Sequence, residues 1–205
     1  MKKLAFLFLL FPLLCSAQTK KDIFNPQVPL VFFGADYAKA QFTKADEFDN
    51  KSDINRFFVD ANNLIKTHWR SAVRRGMGRD TIGWDFSYVT IVNSAVNWQK
   101  AFSDNIDYSI SDEEIGEMIK DLKIDQTRYK GCIGMILIEE NSCSTKRLQT
   151  IASVFFSIND LNPLFIKRYS IRPSHQGFRY GMYYYWGLLN SYPIAEAHKI
   201  KKEIA

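Results

Sequence analysis

The sequence predicts a single α/β domain of the α+β type, in which about three helices pack on a mixed or largely antiparallel sheet of about five strands. Three observations predict this fold class. Apolar runs rich in β-branched and aromatic residues alternate with segments of helical periodicity. No repeat, low-complexity linker or shift of composition divides the chain. Of its 205 residues, the 188 from Gln18 onward are enough for one domain to bury its own core.

The first half of the chain predicts a strand, a long helix and a second strand. Residues 18–27 are polar and predict an extended surface segment. Val28–Asp36 is a strand too apolar to face solvent, and Ala38–Thr43 either extends it or turns back as a hairpin. Apolar residues recur at helical spacing from Ile54 to Trp69, and Gly76-Met77-Gly78 ends that helix. Phe86–Val92 is rich in β-branched residues and predicts the second strand.

The second half predicts a short helix followed by an antiparallel meander. Ser111 and Glu114 have the spacing of a capping box, and the apolar stripe of a helix follows them. The three strands that come next are expected at Gly131–Glu139, Leu148–Ile158 and Leu164–Arg172. Turn residues separate them, at Asn141-Ser142 and at Asp160 to Pro163.

The composition of these strands also predicts their order. In the first two strands, the residues that point to either face are apolar, so we expect these to be central strands covered on both faces. Lys167 and Arg168 place the third near an edge. A final helix with an aromatic face is expected over Phe178–Leu189.

The first 17 residues have the three parts of a secretory signal peptide. Lys2 and Lys3 are basic, Leu4–Leu14 is apolar, and Cys15-Ser16-Ala17 supplies the small residues of a cleavage site. We therefore expect cleavage after Ala17 and a protein that crosses the inner membrane to the periplasm or outer surface. Leu14 stands where a lipoprotein needs a small residue, so ordinary cleavage is favoured over a lipid anchor at Cys15. The apolar run is too short for a permanent transmembrane helix.

The net charge of the chain bears on its binding partners, and the positions of its cysteines bear on whether a disulfide can form. The net charge of +5 includes the two leader lysines, and the mild remainder does not favour nucleic acid. Cys132 and Cys143 lie at opposite ends of a predicted strand and its following loop, more than about 20 Å apart, whereas a disulfide needs about 6 Å. We expect no disulfide.

Familiar catalytic and metal-binding motifs are absent from the sequence, which contains no nucleophile elbow, phosphate loop or paired zinc ligands. No cofactor or metal is therefore expected. His68 lies on the apolar side of the long helix and is read as a core-edge residue. His175 lies in a loop between the last strand and the last helix, where sites are common, although an exposed turn before a helix is the favoured interpretation. Asp36 and Asp85 are possible paired carboxylates.

Two segments are candidates for binding. Arg74, Arg75 and Arg79 surround a glycine loop and could grip an anion, although a helix C-terminus favours positive charge without any ligand. Arg179, Tyr183 and Tyr184 belong to an unusually aromatic segment whose tyrosines suit sugar or protein contact. A broad core-facing helix is the alternative for that segment.

The strand motifs resemble those of a group of secreted bacterial proteins of about this length. The matching runs are Val31 to Tyr37, which contains Phe-Gly-Ala-Asp-Tyr, then Gly131 to Glu139, and then Phe155 to Asp160. Cys132 stands where the group usually has isoleucine. The resemblance implies a small α/β protein of a Gram-negative envelope, and it implies no activity because none is known for the group.

The sequence thus favours a non-catalytic periplasmic or outer-surface protein that binds another envelope protein or a cell-wall glycan. Its best contact candidates are Arg74, Arg75, Arg79 and the aromatic segment with His175. The alternative is a hydrolase-like enzyme without a familiar motif, which would use His175 with a carboxylate such as Asp36.

Overall fold

The fold is built on a six-stranded mixed sheet, seen in a computed structural model that describes residues 18–43, 51–68, 70–143, 145–146, 148–171 and 200–204. The strands are β1 (Leu30–Asp36), β2 (Gln41–Phe42), β3 (Gly83–Trp84), β4 (Ile133–Cys143), β5 (Leu148–Ser157) and β6 (Asn162–Ile171). The α-helices are α1 (Ile54–His68), α2 (Arg70–Met77), α3 (Ser87–Ser94) and α4 (Asp112–Lys120). Two short 3-10 helices cover Lys20–Phe24 and Lys51–Asp53.

The strand order is β3-β1-β4-β5-β6, and β2 pairs with β4 beyond the end of β1. β1 runs parallel to β3 and β4, and β2 runs parallel to β4, whereas β4, β5 and β6 are antiparallel. The predicted α/β class, mixed sheet and antiparallel meander are confirmed. β6 ends the strand order, as its charged residues predicted. β2 extends the line of β1 instead of turning back as a hairpin.

The core lies on both faces of the central strands. Phe32 of β1 packs edge-on against Trp84, with ring centroids 5.2 Å apart. Phe33 packs on the opposite face against Phe156, at 5.7 Å. All seven residues of β1 are buried, as are all eleven of β4. β1 and β4 therefore have apolar residues pointing to both faces because the sheet is covered on both sides.

A bulge fixes the end of β1. The register with β4 shifts between Phe32 and Ala35, and Gly34 has a φ of +90°, which favours glycine. The Asn62 side chain of α1 accepts from the Ala35 N–H at 2.7 Å and donates to the Ala35 carbonyl at 2.8 Å. The bulge and Asn62 together hold the residues that follow, including Asp36, in place.

The capping box at the start of α4 is confirmed. The Ser111 hydroxyl accepts from the Glu114 N–H at 3.1 Å, and the Glu114 carboxylate accepts from the Ser111 N–H at 3.3 Å. The apolar stripe of α4 is buried as predicted, at Ile115, Met118 and Ile119.

The strand predicted at Phe86–Val92 is wrong, because this segment forms α3. The Asp85 carboxylate accepts from the N–H of Ser87 at 3.0 Å and so favours a helical start. At the other end, Asn93 is fully buried and bonds to the β1 backbone, accepting from the Tyr37 N–H at 2.9 Å and donating to the Ala35 carbonyl at 2.8 Å. These tertiary contacts outweigh the β propensity of the sequence.

Two further predictions at strand ends and termini are wrong. Asn141 and Ser142 are part of β4, where β2 and β5 pair with them on either side, and Cys143 is its last residue instead of a loop residue. The polar segment expected to be extended contains the 3-10 helix Lys20–Phe24, with Ile23 buried. Cys132 and Cys143 are free thiols at opposite ends of β4, in agreement with the predicted separation.

The predicted aromatic helix lies outside the described residues, as do the leader and the lipid-anchor candidate Cys15. Within the segments that the structure describes, every helix is too short or too polar to cross a membrane.

Candidate functional site

A polar cavity of about 240 Å³ lies where β4 ends, between that strand, residues 106–109 and β6. β2 and β4 run parallel and finish beside each other here. Ligand sites of open α/β sheets favour the carboxyl ends of parallel strands, so the position alone makes this cavity a candidate. Its lining is unusually rich in buried polar groups.

Glu140 is the central group of the cavity, and its side chain is fully buried. Its Oε1 atom accepts from the Arg168 Nε at 3.0 Å and from the Ile110 N–H at 3.2 Å. Its Oε2 atom has no hydrogen-bond partner among the described residues. A buried carboxylate oxygen without a donor is energetically costly, so a hydrogen-bond donor that reached this atom would be stabilising.

Asn141 presents a second acceptor of the same kind. Its Nδ2 donates to the Ile106 carbonyl at 3.1 Å, while its buried Oδ1 has no partner in the described part of the chain. The β4–β5 register shifts between Glu139 and Asn141. This bulge lets the consecutive residues Glu140 and Asn141 both reach segment 106–110, which a regular strand would not allow.

Arg168 forms an ion pair with Glu140. The guanidinium also donates to the Asp112 carboxylate and to the Ile110 carbonyl, both at 2.5 Å. Burial alone lowers the pKa of Arg168, but the hydrogen bonds that it donates to Asp112 and Glu140 outweigh this effect and raise that pKa above its ordinary value. The cavity therefore contains a buried carboxylate that is paired with a guanidinium.

Tyr108 supplies an aromatic wall, and its ring is half-buried. Burial, followed by the charges of Glu114 and Glu140, raises the pKa of Tyr108. Its hydroxyl consequently stays protonated at neutral pH and can donate a hydrogen bond. Asp107 forms an ion pair with Lys146 at the mouth of the cavity, and the Cys143 sulfur accepts from the Lys146 N–H at 3.4 Å.

The arginines predicted from the sequence come together elsewhere. Arg74, Arg75 and Arg79 line a shallow depression of about 270 Å³ at the end of α2. Arg74 and Arg75 are exposed, but Arg79 is buried, and its guanidinium donates to the backbone carbonyls of Ile23, at 2.7 Å, and of Val28. Arg79 therefore attaches the N-terminal segment to the domain, and Arg74 and Arg75 remain open to solvent.

Of the other predicted site residues, the structure describes Asp36 and Asp85, which do not pair with each other. Asp36 accepts from the Ala38 N–H at 2.7 Å, whereas Asp85 accepts from Ser87 and from the Tyr129 hydroxyl. Each carboxylate thus has its own local partners. His175, Arg179, Tyr183 and Tyr184 lie outside the described residues, and His68 ends α1 with a side chain that is not described.

A further buried carboxylate, Glu139, lies on the opposite face of the sheet from Glu140. It accepts from Gln149 at 2.5 Å. Burial raises the pKa of Glu139 well above its usual value, the Gln149 hydrogen bond partly offsets this, and the charge of Glu140 raises it further. Within the described residues, no group of three acidic, histidine or cysteine side chains could hold a metal ion.

Sequence reasoning missed Glu140, Asn141 and Arg168 as a site. The strand prediction stopped at Glu139, and Arg168 was read only as a sign of an edge strand. The available signal was the pair Glu139-Glu140 directly after a fully apolar run, because a charge at the end of a buried strand needs a partner.

Comparisons of the chain with models of protein families, with curated protein sequences and with solved structures found no significant match. The candidate site therefore rests on its own geometry.

Proposed function

We propose that this protein is a non-catalytic binding protein of the bacterial envelope, periplasmic or at the outer surface, and that its cavity holds one sugar unit of a cell-wall glycan. The observation that carries the proposal is that Glu140 and Asn141 both line one cavity and that each has a buried oxygen, Oε2 and Oδ1, without a hydrogen-bond partner among the described residues. Sugar hydroxyls are the donors that such a pair requires.

The rest of the lining suits the same class of ligand. Arg168 and the Tyr108 hydroxyl can donate to sugar oxygens, and the Tyr108 ring offers flat apolar area to a pyranose face. A volume of about 240 Å³ is below the range of about 300–1,000 Å³ for drug-sized ligands, which favours a single ring over a large molecule.

Binding is favoured over hydrolysis by the ion pairs of the two carboxylates that line the cavity. Glycoside hydrolysis needs one carboxylic acid that donates a proton and a second carboxylate nearby. Both carboxylates that line the cavity are held in ion pairs, Glu140 with Arg168 and Asp107 with Lys146. Paired charges orient a ligand but are poor proton donors.

The location is supported by the leader-like residues before Gln18. Expression of the full chain in a Gram-negative host should yield a mature protein in the periplasmic or membrane fraction that begins at Gln18. A mature protein that begins at Cys15 and carries lipid would place it on a membrane instead, and an uncleaved cytoplasmic protein would contradict the envelope proposal.

Titration calorimetry with N-acetylglucosamine and chitotetraose tests the binding. Glu140→Gln should weaken binding about 10- to 100-fold, because a hydrogen bond to a charged group is worth about 1.5–3 kcal/mol. Glu139→Gln is the matched control, since it changes the preceding buried carboxylate on the opposite face. Unaltered affinity in Glu140→Gln, equal loss in both variants, or no binding of either sugar would each contradict the proposal.

A further inference from the structure

A second cavity lies on the other side of Tyr108. It has a volume of about 190 Å³ and is lined by Lys39, Lys100, Gln41 and Asn97, among others. Tyr108 also lines the Glu140 cavity, so the two cavities share one aromatic wall. They differ sharply in charge.

The second cavity is positively charged. No carboxylate lines it. Lys39 forms an exposed ion pair with Glu114, at 3.2 Å, whereas Lys100 has no ion-pair partner within the described segments. The buried Oε1 of Gln41 has no hydrogen-bond partner among those same residues. The cavity therefore offers positive charge for an anion and one acceptor for an N–H or O–H group.

We propose that the two cavities are subsites of one cleft that binds a carboxylate-bearing glycan, with a sugar ring in the Glu140 cavity and the carboxylate of the next unit at Lys100. This inference rests on the proposed glycan binding and adds the chemical class of the glycan. Lys39 gives secondary support to the carboxylate, and Gln41 Oε1 accepts from a hydroxyl or amide of the same unit.

The position of Tyr108 supports a continuous cleft. The charges that act on its hydroxyl come from Glu114, the partner of Lys39, and from Glu140. The tyrosine thus lies between the charged groups of both cavities, where its ring can contact the linkage between two sugar units. A neutral glycan would leave Lys100 without a partner, so the second cavity selects for acidity rather than for length.

The test compares tetragalacturonate with its methyl ester, which keeps the same sugar chain but has an uncharged methyl ester in place of each carboxylate. At low ionic strength the acid should bind about two- to fivefold more tightly than the ester, which is the range of an exposed ion pair. This preference should shrink at about 0.5 M NaCl because salt screens the pair. Lys100→Gln should reduce the affinity for the acid to that for the ester.

Two controls fix the location. Lys130→Gln removes an exposed lysine that precedes the amino end of β4, and it should preserve the preference for the acid. A double variant, Arg74→Gln with Arg75→Gln, tests whether the acid binds at the end of α2 instead. If the preference is lost in that double variant and kept in Lys100→Gln, the subsite is wrongly placed and the inference is overturned.

The outcomes separate this inference from the proposed function. Equal binding of acid and ester, with both weakened by Glu140→Gln, would overturn the acidic subsite and leave the sugar site in place. No binding of any neutral or acidic sugar would overturn both. Binding of the acid that depends on Lys100 but not on Glu140 would support the anion site and contradict the proposed sugar site.

Discussion

Replacing Arg168 with methionine should destabilise the domain strongly, because it leaves the buried carboxylate of Glu140 without its cation. Methionine keeps most of the apolar stem and its packing, so the change isolates the charge. The Ile110 N–H would then be the one donor left to Glu140 among the contacts described. An unpaired buried charge is among the few causes of large single-mutant effects.

The magnitude follows from the burial of the two partners. Removing one partner of a buried pair costs about 3–5 kcal/mol. Glu140 is fully buried, but the Arg168 side chain is 34% exposed, so water can reach part of the vacated space. We therefore expect about 3 kcal/mol, the lower end of that range. The ion pair with Asp112 adds little, since the Asp112 side chain is 62% exposed and such pairs contribute at most about 1 kcal/mol.

Urea unfolding at neutral pH, followed by circular dichroism, measures the effect. Asp112→Asn is the control for the exposed half of the interaction and should cost less than about 1 kcal/mol. In the double variant Glu140→Gln with Arg168→Met the buried charge is gone, so the double variant should be at least about 2 kcal/mol more stable than the sum of the single changes predicts. A cost below about 1 kcal/mol for Arg168→Met, or additivity in the cycle, would refute this reasoning.

Three further predictions test the fold, the first of them with a control substitution. Gly134→Ala should destabilise the domain by about 1–3 kcal/mol, because the added Cβ would overlap the fully buried Phe156 ring. Gly116→Ala is the control: its Cβ would enter open space on α4, so this change should stabilise the domain by up to about 1 kcal/mol. Equal effects of the two changes in thermal unfolding would contradict the packing described. Burial raises the pKa of Asp36 from 3.8 to about 6, against weaker lowering by a backbone N–H and a lysine. The folded protein therefore favours protonated Asp36, and this contribution to stability is present below pH 3.8 and is lost as pH rises through about 6. The free energy of unfolding of Asp36→Asn should accordingly rise, relative to that of the natural protein, by up to about 3 kcal/mol between about pH 3.5 and pH 7. A pH-independent difference would show that the pKa of Asp36 is not perturbed. Asn62→Ala should lower the free energy of unfolding in urea by about 2–4 kcal/mol, because the buried N–H and carbonyl of Ala35 in the β1 bulge each lose a hydrogen-bond partner. A loss below about 0.5 kcal/mol would contradict that role of Asn62.

The sequence predicted most of the architecture because its signals are local. The strand around Phe32, the capping box of Ser111 and the antiparallel meander each follow from periodicity or from turn and cap residues within a short window. It failed at α3, whose β-branched residues favour a strand. There the contacts of Asn93 with β1, 56 and 58 residues away along the chain, decide the conformation.

Most of the candidate site could not be predicted from the sequence. Glu140 lies 28 residues from Arg168 and 30 from Ile110, and a single bulge decides that Glu140 and Asn141 both reach segment 106–110. No local pattern encodes a register shift of one residue. The arginine cluster was found because its members are neighbours in sequence, yet the sequence could not tell that Arg79 is occupied by backbone carbonyls.

The sequence by itself determined the class of the domain, the apolar strands at its centre and the capped start of α4. Those properties depend on residue spacing and on the chemistry of near neighbours. The tertiary structure alone decided which polar residues are buried, which charges are paired, and which oxygens are left without donors. Such features arise where distant segments meet across the sheet, and the cavity beside Glu140 exists only because β4, β6 and residues 106–110 pack together.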